Sequence, residues 1–120
     1  MGQILLVGQD WKARALLRAQ LIEEGLDVEA HETVREALAS LESNTPLPAL
    51  LLADLSASDD PSGDLDLLSR WSGKIAVWVI GSLSQVIDGS LKGRGFQMIL
   101  FRPIDMGELV EQIKLRVEQG

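Results

Sequence analysis

The chain is expected to form a single α/β domain on a doubly wound parallel sheet, and three features of the sequence predict it. Short, almost wholly apolar segments alternate with longer amphipathic ones along all 120 residues. The main apolar segments, such as Ile4–Val7 and Leu50–Leu55, are far too short for buried helices and suit strands covered on both faces. The connections are short, and no linker, internal repeat or low-complexity tract divides the chain, so residues 1–120 read as one domain.

The elements follow in order. Ile4–Val7 is the first strand. Trp11–Glu24 is a helix with Ala13, Leu16, Leu17 and Leu21 at helical spacing, and Gly25 is placed to close it. Val28–His31 alternates apolar and polar residues, as a half-exposed edge strand does. Thr33-Val-Arg-Glu36 is a capping box opening a helix that carries Val34, Ala37, Leu38 and Leu41 on one side. Leu50–Leu55 is the third strand, Ser56–Asp66 a polar loop, Leu65–Trp71 a short helix and Ile75–Ile80 the fourth strand. Ser84–Lys92 is the weakest helix, because Gly89 interrupts it and an internal glycine costs about 1 kcal/mol relative to alanine. Met98–Phe101 is the fifth strand. Asp105-Met-Gly-Glu108 then opens a last helix with the stripe Leu109, Val110, Ile113 and Val117.

Strand–helix alternation of this kind implies right-handed crossovers and helices on both faces of the sheet. The second strand combines an edge pattern with an early place in the chain. The strand order is therefore predicted as 2-1-3-4-5, the flavodoxin-like (βα)5 arrangement.

Composition narrows the function. The net charge is −7, and 11 basic residues are scattered along the chain, so no surface for nucleic acid is expected. There is no cysteine, which removes disulfides, thiolate catalysis and Cys-ligated zinc and fits a cytoplasmic protein. No apolar run is long enough to span a bilayer, and no basic segment precedes an apolar stretch as a signal peptide would require. The chain lacks GxGxxG, Walker A and GxSxG motifs. Gly8-Gln-Asp-Trp11 does not supply the Ser/Thr- or Gly-rich phosphate loop of a flavin binder.

In an open parallel sheet, ligands bind beyond the carboxyl ends of the strands, at the switch point between strands 1 and 3. Gly8, Gln9 and Asp10 follow strand 1, and Asp54 ends strand 3. Gly81 and Ser82 follow strand 4, and Arg102 and Pro103 follow strand 5. Asp54 facing Arg102 is the expected acid–base contact, and Asp10 is expected to cap the first helix. The acidic loop Asp59, Asp60, Asp64, Asp66 lacks the spacing of an EF-hand, and His31, without a second histidine, reads as a surface residue. Trp78 belongs to the core. Trp11 begins the first helix beside the site, where it either shields Asp54 or packs on the loop.

The segments "ILLV…D…R", "LLLADL" and "FRP" resemble the receiver domain of two-component response regulators across essentially the whole chain. The resemblance implies that Asp54 stands where a phosphoryl group from a histidine kinase is accepted. It also implies that Gly8 and Gln9 stand where two acids hold Mg²⁺. Ile80 occupies the Thr/Ser switch position, with Ser82 two residues on, and Ile99 the aromatic switch position. Arg102 replaces the family's lysine before Pro103, and the bond between them is expected to be cis. Asp10, one position past the metal-binding pair, is the only acid nearby.

With two of three carboxylates gone, Mg²⁺ loses the protein ligands it needs and phosphoryl transfer loses its neutralising cation. The sequence therefore implies a pseudo-receiver, not an enzyme. It would act through protein contacts, with no metal expected and Mg²⁺ relevant only if Asp54 is active. The expected partner is a histidine kinase, an output domain or a second copy, on a face made by the Ser84–Lys92 helix, the fifth strand and the last helix. Receivers are usually joined to an output domain, so the chain is expected to be part of a longer protein. The alternative is a working receiver phosphorylated on Asp54.

Overall fold

The computed structural model describes residues 3–43, 46–82, 89, 91 and 93–119. Strands β1 (Ile4–Gly8), β2 (Val28–His31), β3 (Leu50–Asp54), β4 (Ala76–Gly81) and β5 (Met98–Phe101) form one parallel sheet in the order β2-β1-β3-β4-β5. The helices are α1 (Trp11–Glu23), α2 (Val34–Ser43), α3 (Pro61–Ser69) and α4 (Met106–Gln119). This is the predicted topology. Most of the predicted helix Ser84–Lys92 lies outside the described residues. Of its described positions, Leu91 is buried and Gly89 has φ +74°.

Strand alternation sorts the core into two layers. Leu5, Val7, Leu51, Ala53, Val77 and Val79 point toward α2 and α3 and pack on Val34, Leu38, Leu65 and Leu68. Ile4, Leu6, Leu50, Leu52, Trp78 and Ile80 point the other way, onto Leu17 and Leu21 of α1 and Leu109, Val110 and Ile113 of α4. Each buried Leu or Ile in these layers contributes about 1.5–3 kcal/mol. β5 is less covered: none of its four residues is fully buried, and Phe101 is 42% exposed.

The helix ends form largely as the sequence predicts. Gly25 has φ +82°, and the Gly25 and Leu26 amides donate to Ile22 and Leu21, which closes α1 in a Schellman motif. Thr33 Oγ1 accepts from the Glu36 amide and Asp105 Oδ1 from the Glu108 amide, so α2 and α4 carry the expected caps.

Two expectations are corrected. The third helix begins at Pro61, not Leu65, and ends at Ser69, before Trp71. Asp60 caps it by accepting from the Gly63 amide, and Pro61 fills the first helical position, where a missing N–H costs nothing. Gly63 is needed there, because a Cβ would lie 2.2 Å from Asp60 Oδ2. His31 is half-buried rather than a bare surface residue. Its Nε2 lies 2.7 Å from Glu29 Oε2, and the Ser40 hydroxyl of α2 donates to the same carboxylate. These bonds from Ser40 and His31 hold the Glu29 carboxyl below its ordinary pKa. Among the described residues, no helix is long and apolar enough to cross a membrane.

Candidate functional site

Register builds the site. Gly8 pairs with Asp54 and Asp54 with Ile80, so three adjacent strands end in one row at the carboxyl edge of the sheet. In-register neighbours project to the same face, here the one covered by α1 and α4. The chain leaves β1 toward that face and β3 toward the opposite one, which opens the crevice where Asp54 stands.

Both oxygens of the Asp54 carboxylate are engaged. Oδ1 accepts from the Ser56 amide at 3.0 Å and from the Ser56 hydroxyl at 2.6 Å. The first is an Asx-type turn, in which an aspartate bonds the backbone two residues on. Oδ2 accepts from Arg102 Nη2 at 2.5 Å, and Arg102 Nε donates to Ser56 Oγ at 3.2 Å. Asp54, Ser56 and Arg102 therefore form a closed ring. The Asp54 side chain is only 13% exposed, whereas that of Arg102 is 44% exposed. The Arg102–Pro103 bond is cis, as expected.

A cavity of about 20 Å³ lies beneath the carboxylate, room for about one water. Its walls are chiefly apolar, with Leu6, Leu17, Ile80, Ile104 and Leu109 among them, and its polar groups are Asp54, Arg14 and Arg102. Arg14 donates to the Gly8 carbonyl. Two guanidiniums thus share this cavity with the Asp54 carboxylate.

The sequence-predicted residues divide into two groups. Asp54, Arg102, Gly8 and Ile80 line the cavity together. The others lie elsewhere. Gln9 lines a separate polar pocket with Thr33, Arg35, Asp59 and Asp64. Asp10 caps α1, accepting from the Lys12 and Ala13 amides at 3.1 and 3.3 Å. Ile99 sits on the opposite face of the sheet, half-buried against the α2–α3 layer. Ser82 follows the end of β4, past Ile80, which offers only methyl groups at the switch position. Trp11 is 63% exposed and does not line the Asp54 cavity.

The loop acids have local roles. Asp60 caps α3, Asp64 accepts from Ser58 Oγ, and Asp66 pairs with Arg94 at 2.7 Å. Among the described residues, no three His, Asp or Glu side chains converge as a metal site. The described residues at Asp54 do not fit Mg²⁺: the carboxylate is satisfied by a guanidinium and a serine, and among the described residues no second carboxylate lines its cavity.

Sequence reasoning missed Ser56 and Arg14. Ser56 carried a signal, since Asp-x-Ser is a turn former in its own right. Arg14 carried one in its spacing from Asp10, which sets it on the inner side of α1.

No known family model matches the chain, and no curated protein matches it. Solved structures do. The chain is similar to a CheY-like response regulator receiver domain from Methanospirillum hungatei, at 22% identity over 97% of this chain and 93% of the other, with a TM-score of 0.77. It is similar to a response regulator receiver domain from Francisella, at 19% identity over 99% and 98% of the two chains, with a TM-score of 0.79. The receiver domain of NtrX from Brucella abortus matches at 20% identity over 98% and 99%, with a TM-score of 0.77. The chain has the fold of response regulator receiver domains.

Proposed function

We propose that the chain is a receiver-type signalling module that acts through protein contacts and has lost phosphoryl acceptance; it is not an enzyme. The observation that carries this reading is the closed ring at Asp54. A phosphoacceptor needs an accessible oxygen, a divalent cation beside it and a hydroxyl donor on the next strand. Here one oxygen is bound by Arg102 and the other by Ser56, no further carboxylate among the described residues lines the cavity, and Ile80 replaces the hydroxyl. In this reading Arg102 supplies permanently the positive charge that a metal would bring and remove. The partner is a histidine kinase or an output domain in the cytoplasm, on the face of β5 and α4. Phe101 there borders a groove of about 190 Å³ together with Pro103 and Glu108.

The alternative, a working receiver phosphorylated on Asp54, draws on the position of that residue at the switch point of a receiver fold. Amide NMR spectra recorded before and after Mg²⁺ and then beryllium fluoride, an aspartyl-phosphate mimic, separate the two, with Asp54→Asn as control. The proposed function expects no shifts around Asp54 and Ser82 at high millimolar Mg²⁺. Shifts in the wild type alone would show a live site and overturn it.

A further inference from the structure

A second concavity lies at the carboxyl edge of the sheet, where β1 passes into α1, β2 into α2 and β3 into α3. It measures about 170 Å³, well below the roughly 300–1,000 Å³ of a pocket for a drug-sized ligand. One base, Arg35, and three acids, Asp59, Asp60 and Asp64, line it, which leaves two negative charges in excess. Asp60 is committed to the Gly63 amide, and one oxygen of Asp64 to the Ser58 hydroxyl. Arg35 and Asp59 are not committed: among the described residues, the side chain of neither makes a hydrogen bond or an ion pair, although both border the same pocket. Opposite charges that border one pocket without meeting across it suit a ligand carrying both signs. Asp54 does not line this pocket, so its chemistry is independent of phosphoryl acceptance.

We propose that this pocket binds a free amino acid with a basic side chain, its carboxylate on Arg35 and its two amines on Asp59 and Asp64. Simpler ligands fail on charge or geometry. Phosphate or another plain anion would meet three carboxylates. A bare divalent cation needs oxygens converging at about 2.0–2.6 Å, and among the described residues no three His, Asp or Glu side chains converge as a metal site. A plain amine would leave the Arg35 guanidinium unanswered. A ligand with one carboxylate and two ammonium groups answers Arg35 and still carries positive charge to offset the excess acid. The fork of a guanidinium binds a carboxylate through two parallel hydrogen bonds, which fixes the ligand's orientation. Half-buried Leu67 gives its methylene stem an apolar wall, and Gln9 offers a side-chain amide beside it.

Amide NMR titration of the full chain with L-lysine at fixed pH tests this. Saturable shifts are expected at Gln9, Arg35, Asp59 and Leu67. Cadaverine, which lacks the carboxylate, and norleucine, which lacks the side-chain ammonium, should each bind roughly tenfold more weakly, the loss of one charged hydrogen bond. Arg35→Gln should bring lysine down to the level of cadaverine with no loss in cadaverine itself. Asp59→Asn should weaken both by roughly tenfold. Both residues are exposed and their side chains make no bonds within the described fold, so neither substitution puts folding at risk. No saturable shift at these residues overturns the inference. So does cadaverine binding as tightly as lysine, which would mark an acidic surface that takes any amine, or Mg²⁺ displacing lysine at equal concentration, which would mark a cation site.

Discussion

Alanine substitution of Asp54 and Arg102, singly and together, tests whether the ring at the site is energetically closed. The pair falls between two regimes. Exposed ion pairs are worth about 0–1 kcal/mol, and removing one partner of a fully buried pair costs about 3–5 kcal/mol. The Asp54 side chain is 13% exposed but that of Arg102 is 44% exposed, so solvent screens one end. A coupling energy of about 1.5 kcal/mol follows, between the exposed and buried limits. Arg102→Ala leaves the carboxylate with Ser56 alone and should cost about 2 kcal/mol, roughly 8 °C in Tm for a domain of this size. Asp54→Ala should cost a similar amount, and the double variant only slightly more than either single one, since the second removal finds the ion pair already broken and loses only bonds to Ser56. Urea denaturation followed by fluorescence reads these values, because Trp78 is buried at 4% exposure in the α1–α4 layer. A coupling below about 0.5 kcal/mol would refute the reasoning. Arg102 would then be an idle neighbour, and Asp54 would be open to chemistry.

Glu29→Gln should make stability depend less on pH in the acid range. The folded-state pKa of Glu29 lies below its ordinary 4.5. Its contribution is therefore complete above 4.5 and is lost as pH falls through the folded value. The gap between wild type and variant should be open at neutral pH and close below pH 4.5 in paired denaturation curves. A gap that is constant with pH would refute the assignment. Gly95→Ala should lower Tm by roughly 8 °C, about 2 kcal/mol. Gly95 has φ +83°, and a Cβ there would lie 2.8 Å from Ser72 Oγ, which donates to the Arg94 carbonyl. An unchanged Tm would show that the Ser72 contact yields freely.

The fold is legible because what stabilises it most, burial of apolar strands between two helix layers, is written as composition and period. Ile4–Val7 and Leu50–Leu55 admit few other readings, and the alternation at Val28–His31 picks out the edge. The start of α3 is harder to read although Asp60-Pro61 signals it, because a cluster of aspartates suggests a polar loop before it suggests a cap. At the site, Asp54 opposite Arg102 is legible from their places at two strand ends. Ser56 and Arg14 are marked there only by the Asp-x-Ser turn and the spacing from Asp10; the bonds they make depend on how each side chain is turned. Ile99 lies in the α2–α3 layer, on the face of the sheet away from Asp54, because odd positions of the strands point to that side.

The two-layer core has a further consequence, for how the domain can change over time. Odd and even positions of β3 never share a layer: Leu51 and Ala53 pack with α2 and α3, Leu50 and Leu52 with α1 and α4. The sheet is a partition, and no buried side chain belongs to both layers. Substitutions beyond about 7–10 Å with no shared partners add independently. The α2–α3 layer can therefore be rewritten residue by residue while the surroundings of Asp54 stay as they are. A lineage can lose or regain chemistry at the site without disturbing half of its own core.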